Sequence, residues 1–187
     1  MLLLVGLLTA CTETVVPQPP QQASFKGPSY VLNVASIDIA EDYQTSKVLP
    51  HVEGHADMPP AAVFRDWVAQ HVSAGGRAGR AEVVISDAGI LRRDLPKQTS
   101  GIEGYFTEEQ TEEYKGSLQI EIKIYDDRNI LPVAQISASS RAMHTLGEKA
   151  GLEDHKALYH NMSIELVKVI EPEIEKNIRA HMSNYLM

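Results

Sequence analysis

Two histidines and two carboxylates fall close together at His51, Glu53, His55 and Asp57. Imidazole and carboxylate are zinc ligands, and with a water in the fourth position such a set does the chemistry of a metal-dependent hydrolase. A helical metalloprotease pair needs glutamate directly after the first histidine. Here Glu53 lies midway between the two, and Pro50 and Gly54 stand against a helix. A solvated loop is therefore the plainer expectation, with His51, Glu53 and His55 as weak candidate metal ligands and no cofactor assigned.

Other chemistry-bearing residues are more scattered. His155 and Tyr159 are four apart on a predicted helix and suit an aromatic edge of the core, whereas His155 and His160 cannot share a face. Gly75, Gly76, Arg77, Ala78, Gly79 and Arg80 look superficially like a phosphate loop. They lack the closing Gly-Lys-Ser/Thr and follow a predicted helix instead of opening one, so a flexible turn is expected. With Arg92 and Arg93, Arg77 and Arg80 could present a basic face to anionic lipid or an acidic partner. Ser139 and Ser140 have nothing nearby in sequence to activate them. The glutamates from Glu108 to Glu113 lack calcium-loop spacing. No catalytic motif is found, and the expectation is a protein that is not an enzyme.

Cys11 is the sole cysteine of the 187 residues, which excludes an intrachain disulfide and a zinc site built from cysteines. It ends an uncharged apolar run, Met1–Ala10, too short to span a bilayer and of the length of a secretory signal core. The final residues, Leu8, Thr9, Ala10 and Cys11, resemble the lipobox of bacterial lipoproteins. That resemblance implies cleavage after Ala10 and acylation of Cys11, with residues 1–10 as signal peptide. No Lys or Arg precedes the run, so the expected start lies upstream, with a short basic segment ahead of Met1. Thr12 to Pro28 carries Pro17, Pro19, Pro20 and several glutamines. Such a composition stays extended and unpacked and reads as a tether over residues 11–28. Thr12, where aspartate would by resemblance signal retention, favours an outer-membrane anchor facing the periplasm.

The remaining residues, 29–187, are expected to form one domain. Tyr30–Ile39 is rich in β-branched and aromatic residues, and a bulge near Ala35 or Ser36 would bring Leu32, Val34, Ile37 and Ile39 onto one face. Val63, Phe64, Trp67, Val68, His71 and Val72 form one helical stripe, opened by Pro59 and Pro60 with Asp57 as a cap and closed by Gly75 and Gly76. A strand follows over Ala81–Leu91. Asp94–Tyr114 reads as a long acidic loop in which Thr107 and Gln110 have the spacing of a capping box. Leu118, Ile120, Ile122 and Ile124 alternate with polar residues, the mark of a strand buried on one face. Leu131–Met143 returns as a fourth strand, at an edge if Pro132 is a guide.

From Leu158 to Leu186 an apolar residue recurs every fourth position. Such a row drifts about 40° per step around a straight helix, and Pro172 lies at its midpoint, so a kinked helix or two consecutive helices are expected. The sum is an α+β fold in the order β-α-β-β-β-α: a four-stranded, mostly antiparallel sheet with one amphipathic helix and a long kinked C-terminal helix on one face. Element order is loosely similar to small outer-membrane lipoproteins such as the lipopolysaccharide-assembly lipoprotein and the auxiliary lipoproteins of ABC-type lipid transporters. The resemblance implies a non-enzymatic binding or scaffold subunit with an envelope protein partner, and it carries over no site residues. A net charge of −8, from 17 basic and 25 acidic residues, argues against a nucleic-acid partner.

Overall fold

The computed structural model describes residues 23–96 and 110–187, so Cys11 and the acidic stretch around Glu108 lie outside it. In chain order the elements are β1 (Tyr30–Leu32), β2 (Ser36–Glu41), α1 (Pro60–His71), β3 (Val72–Ala74), β4 (Arg80–Asp87), β5 (Ile90–Asp94), β6 (Gln110–Tyr125), β7 (Ala134–Gly147) and α2 (Leu152–His181). A short 3-10 turn at Glu53–His55 precedes α1 and another at Ser183–Tyr185 follows α2.

The sixteen-residue β6 is the spine of the sheet. Its even positions from Tyr114 to Ile124 are buried, and its odd positions carry Lys115, Gln119, Glu121 and Lys123. β7 pairs along its whole length, from Gln110 opposite Gly147 to Ile124 opposite Ala134. On the other side β4 and β5 lie in line, β4 against the second half of β6 and β5 against the first. β2 adds to β4 in parallel, whereas the pairings of β6 are antiparallel. The sheet thus has five strands but is four wide. The single strand expected over Ala81–Leu91 breaks because the register shifts after Ile85, and Ala88 and Gly89 turn out of line. A Cβ on Gly89 would stand 3.0 Å from the Tyr43 hydroxyl, a tight approach that the tyrosine would have to yield to.

The strand expected over Tyr30–Ile39 is also two. Val34 N–H donates to the Leu32 carbonyl at 2.8 Å, a three-residue turn in place of the expected bulge. It sends β1 to pair with β3 in a separate parallel ribbon. Leu32 and Val34 are buried, but Ile39 is 39% exposed, so the four side chains do not share a face. Gln110–Tyr114, expected in the acidic loop, belongs to β6, and Gln110 opens that strand instead of serving a capping box. Thr107 lies outside the described residues.

α1 buries Val63, Phe64, Trp67, Val68 and His71 of the predicted stripe, whereas Val72, its last member, is buried from β3. Asp57 does not cap it: Pro59 holds the N-cap position and Pro60 opens the first turn. Gly75 and Gly76 do not close it either, since the chain turns extended at Val72 and forms β3 first. α2 is one helix running through Pro172. Lys168 and Pro172 are both on its exposed side, so the proline ring stands away from the core. The four-spaced row stays buried from Met162 to Met182 because its drift is met by two neighbours in turn. Gly116 of β6 lies under Met162 and Leu166, where an added Cβ would come within 3.1 Å of both. Trp67 of α1 reaches Glu171 on another side.

α2 also closes the free edge of β7. Ser139 N–H lies 3.5 Å from a Glu173 carboxylate oxygen, Asn177 Nδ2 donates to the Ser137 carbonyl at 2.8 Å, and Ser140 Oγ donates to the Leu166 carbonyl at 2.7 Å. Unpaired edge groups invite pairing with another chain, and Glu173 and Asn177 occupy two of them here, at Ser139 and Ser137.

Leu166 is fully buried where α2 meets β6. Leu166→Ala is expected to cost about 2–5 kcal/mol in urea unfolding, as large-to-small core changes do. Leu152→Ala at an exposed position should stay within about 0.5 kcal/mol.

Candidate functional site

Of the His51, Glu53 and His55 cluster, only Glu53 is buried, and completely so. Its Oε1 accepts the Tyr43 hydroxyl at 2.7 Å and the Ser46 N–H at 2.8 Å. Its Oε2 accepts the Ile90 N–H at 3.1 Å. Burial alone would raise this carboxyl, but those hydrogen bonds hold it below the ordinary glutamate value. His51 Nδ1 stands 3.6 Å from Oε2 and 3.2 Å from the Tyr43 oxygen. His55 turns away, with Nε2 3.2 Å from the Lys47 carbonyl and its ring beside Tyr159. Among the described residues no three His, Cys, Asp or Glu side chains converge as a metal site would require. Glu53 is a latch that ties the 43–55 loop to β5.

The four arginines of the expected basic face are not brought together. Arg80 lies opposite Tyr125 and Arg93 opposite Glu113, twelve positions apart on β6 and so about 40 Å along the strand. Arg93 pairs with Glu113 at 3.0 Å. Arg92, on the other face, meets Glu112 at 2.6 Å and Asp94 at 3.0 Å. Arg77 and Arg80 remain neighbours, with the Arg80 guanidinium 4.0 Å above the Tyr125 ring. Strand alternation separates Arg92 from Arg93, and the length of β6 separates both from Arg80.

Arg92 belongs to a polar cluster that sequence reading missed. Glu112 accepts hydrogen bonds from the Tyr114 hydroxyl and Arg92, and His155 Nε2 lies 2.8 Å from it. Burial acts to raise the Glu112 carboxyl, but Tyr114, His155 and Arg92 keep it below its usual range. Tyr114 packs edge-on to Tyr159 at 5.6 Å, so His155 and Tyr159 do form an aromatic border of the core. The cluster was hidden because Glu112 and Tyr114 read as loop. Ser140 is structural through its bond to the Leu166 carbonyl. Ser139, with Asp87, Ser117, Gln119 and Arg141, lines a shallow polar hollow of about 200 Å³ on the face of the sheet away from the core, with Glu173 of α2 at its margin.

A third carboxylate fixes the N-terminal end of the described chain. Glu171 Oε1 accepts the Trp67 indole N–H at 3.0 Å and the Gly27 N–H at 3.1 Å. Phe25 meets the edge of the His71 ring, which stacks on Trp67 and through it on Phe64. The one available signal was Trp67 itself, since a buried indole N–H needs an acceptor. Where residues 11–28 were expected to be wholly unpacked, Ala23 and Phe25 pack against the core.

No protein-family model and no curated protein matches the chain. Among solved structures it is similar to a minor lipoprotein from Acinetobacter baumannii, at a TM-score of 0.43 and 12% identity over 83% of this chain and 96% of that one. It is also similar to lipoprotein B from Nitrosomonas europaea, at a TM-score of 0.39 and 12% identity over 86% and 97%. The PelC dodecamer from Paraburkholderia phytofirmans gives 0.25 and 12% over 79% and 93%. These likenesses are too loose to carry a function from those proteins to this one.

Glu53→Gln replaces an ionised acceptor by an amide among three donors and is expected to cost about 1–3 kcal/mol at neutral pH. Because the folded carboxyl titrates below the unfolded one, this stabilisation is complete above about pH 4.5 and fades as pH falls through the folded value. Urea midpoints of the two proteins should therefore converge on acidification. A constant difference down to low pH would show that the charge is not the cause.

Proposed function

We propose that this chain is a membrane-tethered protein of the bacterial envelope, acylated on Cys11. It acts as a non-enzymatic binding or scaffold subunit of an envelope assembly or lipid-transport system, anchored in the outer membrane and facing the periplasm. The observation that carries the reading is the sequence Leu8-Thr9-Ala10-Cys11 at the end of an uncharged apolar run, followed directly by a Pro- and Gln-rich segment. Each buried acyl methylene contributes about 0.8 kcal/mol, so several chains on one cysteine hold a protein to a bilayer without a spanning helix. Among the described residues no helix is long and apolar enough to cross a membrane. The polar groups of the body support a binding role. Glu53, Glu112 and Glu171 all hold segments of the chain in place, while the face of the sheet away from the core leaves its serines and Arg141 open to an envelope protein partner.

Metabolic labelling with an alkyne palmitate, combined with membrane fractionation, tests the anchor. The wild-type protein is expected to be labelled and particulate, and Cys11→Ser unlabelled and released. A natural product with an unmodified Cys11 and Met1–Ala10 still attached would refute it.

A further inference from the structure

The β6–β7 hairpin ends in two apolar side chains that no described residue covers: Ile130 is 96% exposed and Leu131 76%. They are the two most exposed large apolar side chains among the described residues. The tip is also cross-linked by hydrogen bonds. Asp126 accepts the N–H groups of Arg128 and Asn129, and Asn129 Nδ2 donates to both of its oxygens. Asp127 accepts the Gly79 N–H at 3.0 Å and so docks the 75–80 turn against the hairpin. Gly79 has φ +73°, and a Cβ there would stand 2.5 Å from the Tyr125 carbonyl, so only glycine permits this close docking. Asp126 and Asp127 thus hold the tip's own donors, backbone N–H groups and the Asn129 amide, and of the exposed arginines Arg128 lies in the hairpin with Ile130 and Leu131 while Arg77 lies in the docked turn. Arg80 adds a third guanidinium over Tyr125.

We propose that this tip, made by the Gly75–Arg80 turn and the Asp126–Val133 hairpin, docks on an anionic bilayer, with Ile130 and Leu131 at the acyl boundary and Arg77, Arg80 and Arg128 among the headgroups. An apolar end rimmed by arginines is the chemistry of that interface. The biological setting rests on the acylated Cys11 proposed above, and the chain length agrees with it. Eleven residues lie between Cys11 and Ala23, a stretch that reaches at most about 40 Å. The chain is fastened at Glu171, ten residues and about 15 Å before the C-terminal end of α2, the end at which the hairpin lies. The anchor and the tip can therefore meet one surface together.

The test imposes the anchor chemically. The full chain is coupled through Cys11 to a maleimide phospholipid in vesicles of phosphatidylethanolamine and phosphatidylglycerol. A Leu131→Trp variant reports the tip above the constant signal of buried Trp67. Its added emission should shift to the blue and fall roughly twofold when the lipids carry bromine on their chains, whereas Met143→Trp, at an exposed site far along the sheet, should do neither. Arg77→Glu combined with Arg128→Glu should remove most of that quenching in phosphatidylglycerol vesicles. Water-like, unquenched emission from Leu131→Trp would overturn the proposal, and charge reversal without effect would overturn its anionic component. Neither outcome depends on whether the cell acylates Cys11, which the labelling experiment decides separately.

Discussion

The buried face of β6 is the constraint on which the rest of the molecule depends. A strict two-residue alternation fixes which face of a strand is wet, and a slip of one residue would turn Leu118, Ile120, Ile122 and Ile124 outward together. That penalty locks the register with β7 on one side and with β4 and β5 on the other. It also places Gly116 at the point where α2 crosses. Because no side chain stands there, Leu166 and Met162 come down onto the backbone of the sheet. From that crossing the helix runs antiparallel to β7 and occupies the edge groups of Ser137 and Ser139.

Around this frame the irregular segments are held by carboxylates. Glu53 gathers Tyr43, Ser46 and Ile90; Glu112 gathers Arg92 and Tyr114 beside His155; Glu171 gathers Trp67 and Gly27. A charged acceptor surrounded by fixed donors is favourable in a low-dielectric setting, where the same carboxylate without them would be costly. Glu53 and Glu112 are therefore structural fastenings. The loop that looked most like a metal site is a loop pinned from within.

The polar latches and the exposed end of the body divide the surface by chemistry. The helix layer receives the chain at Phe25 and Gly27. The hairpin end carries Ile130 and Leu131 beside arginines, while the open face of the sheet is polar and serine-rich. These three regions are separate.

Sequence alone determined the α+β class, the mostly antiparallel sheet, the α1 stripe, the β6 alternation and the long C-terminal helix, because each is written as a local period. Pairing of distant segments has no such period. The splitting of the first two predicted strands rests on one three-residue turn at Leu32–Val34 and one break at Ala88–Gly89. The extension of β6 back through Glu112 depends on β5 and β7 supplying partners to an acidic stretch that alone reads as loop. The passage of α2 through Pro172 depends on which side of the helix faces water. Tertiary structure alone dispersed the arginines and turned Glu53 inward, because the direction of a side chain and the donors that meet it are set by strands and loops remote in the chain.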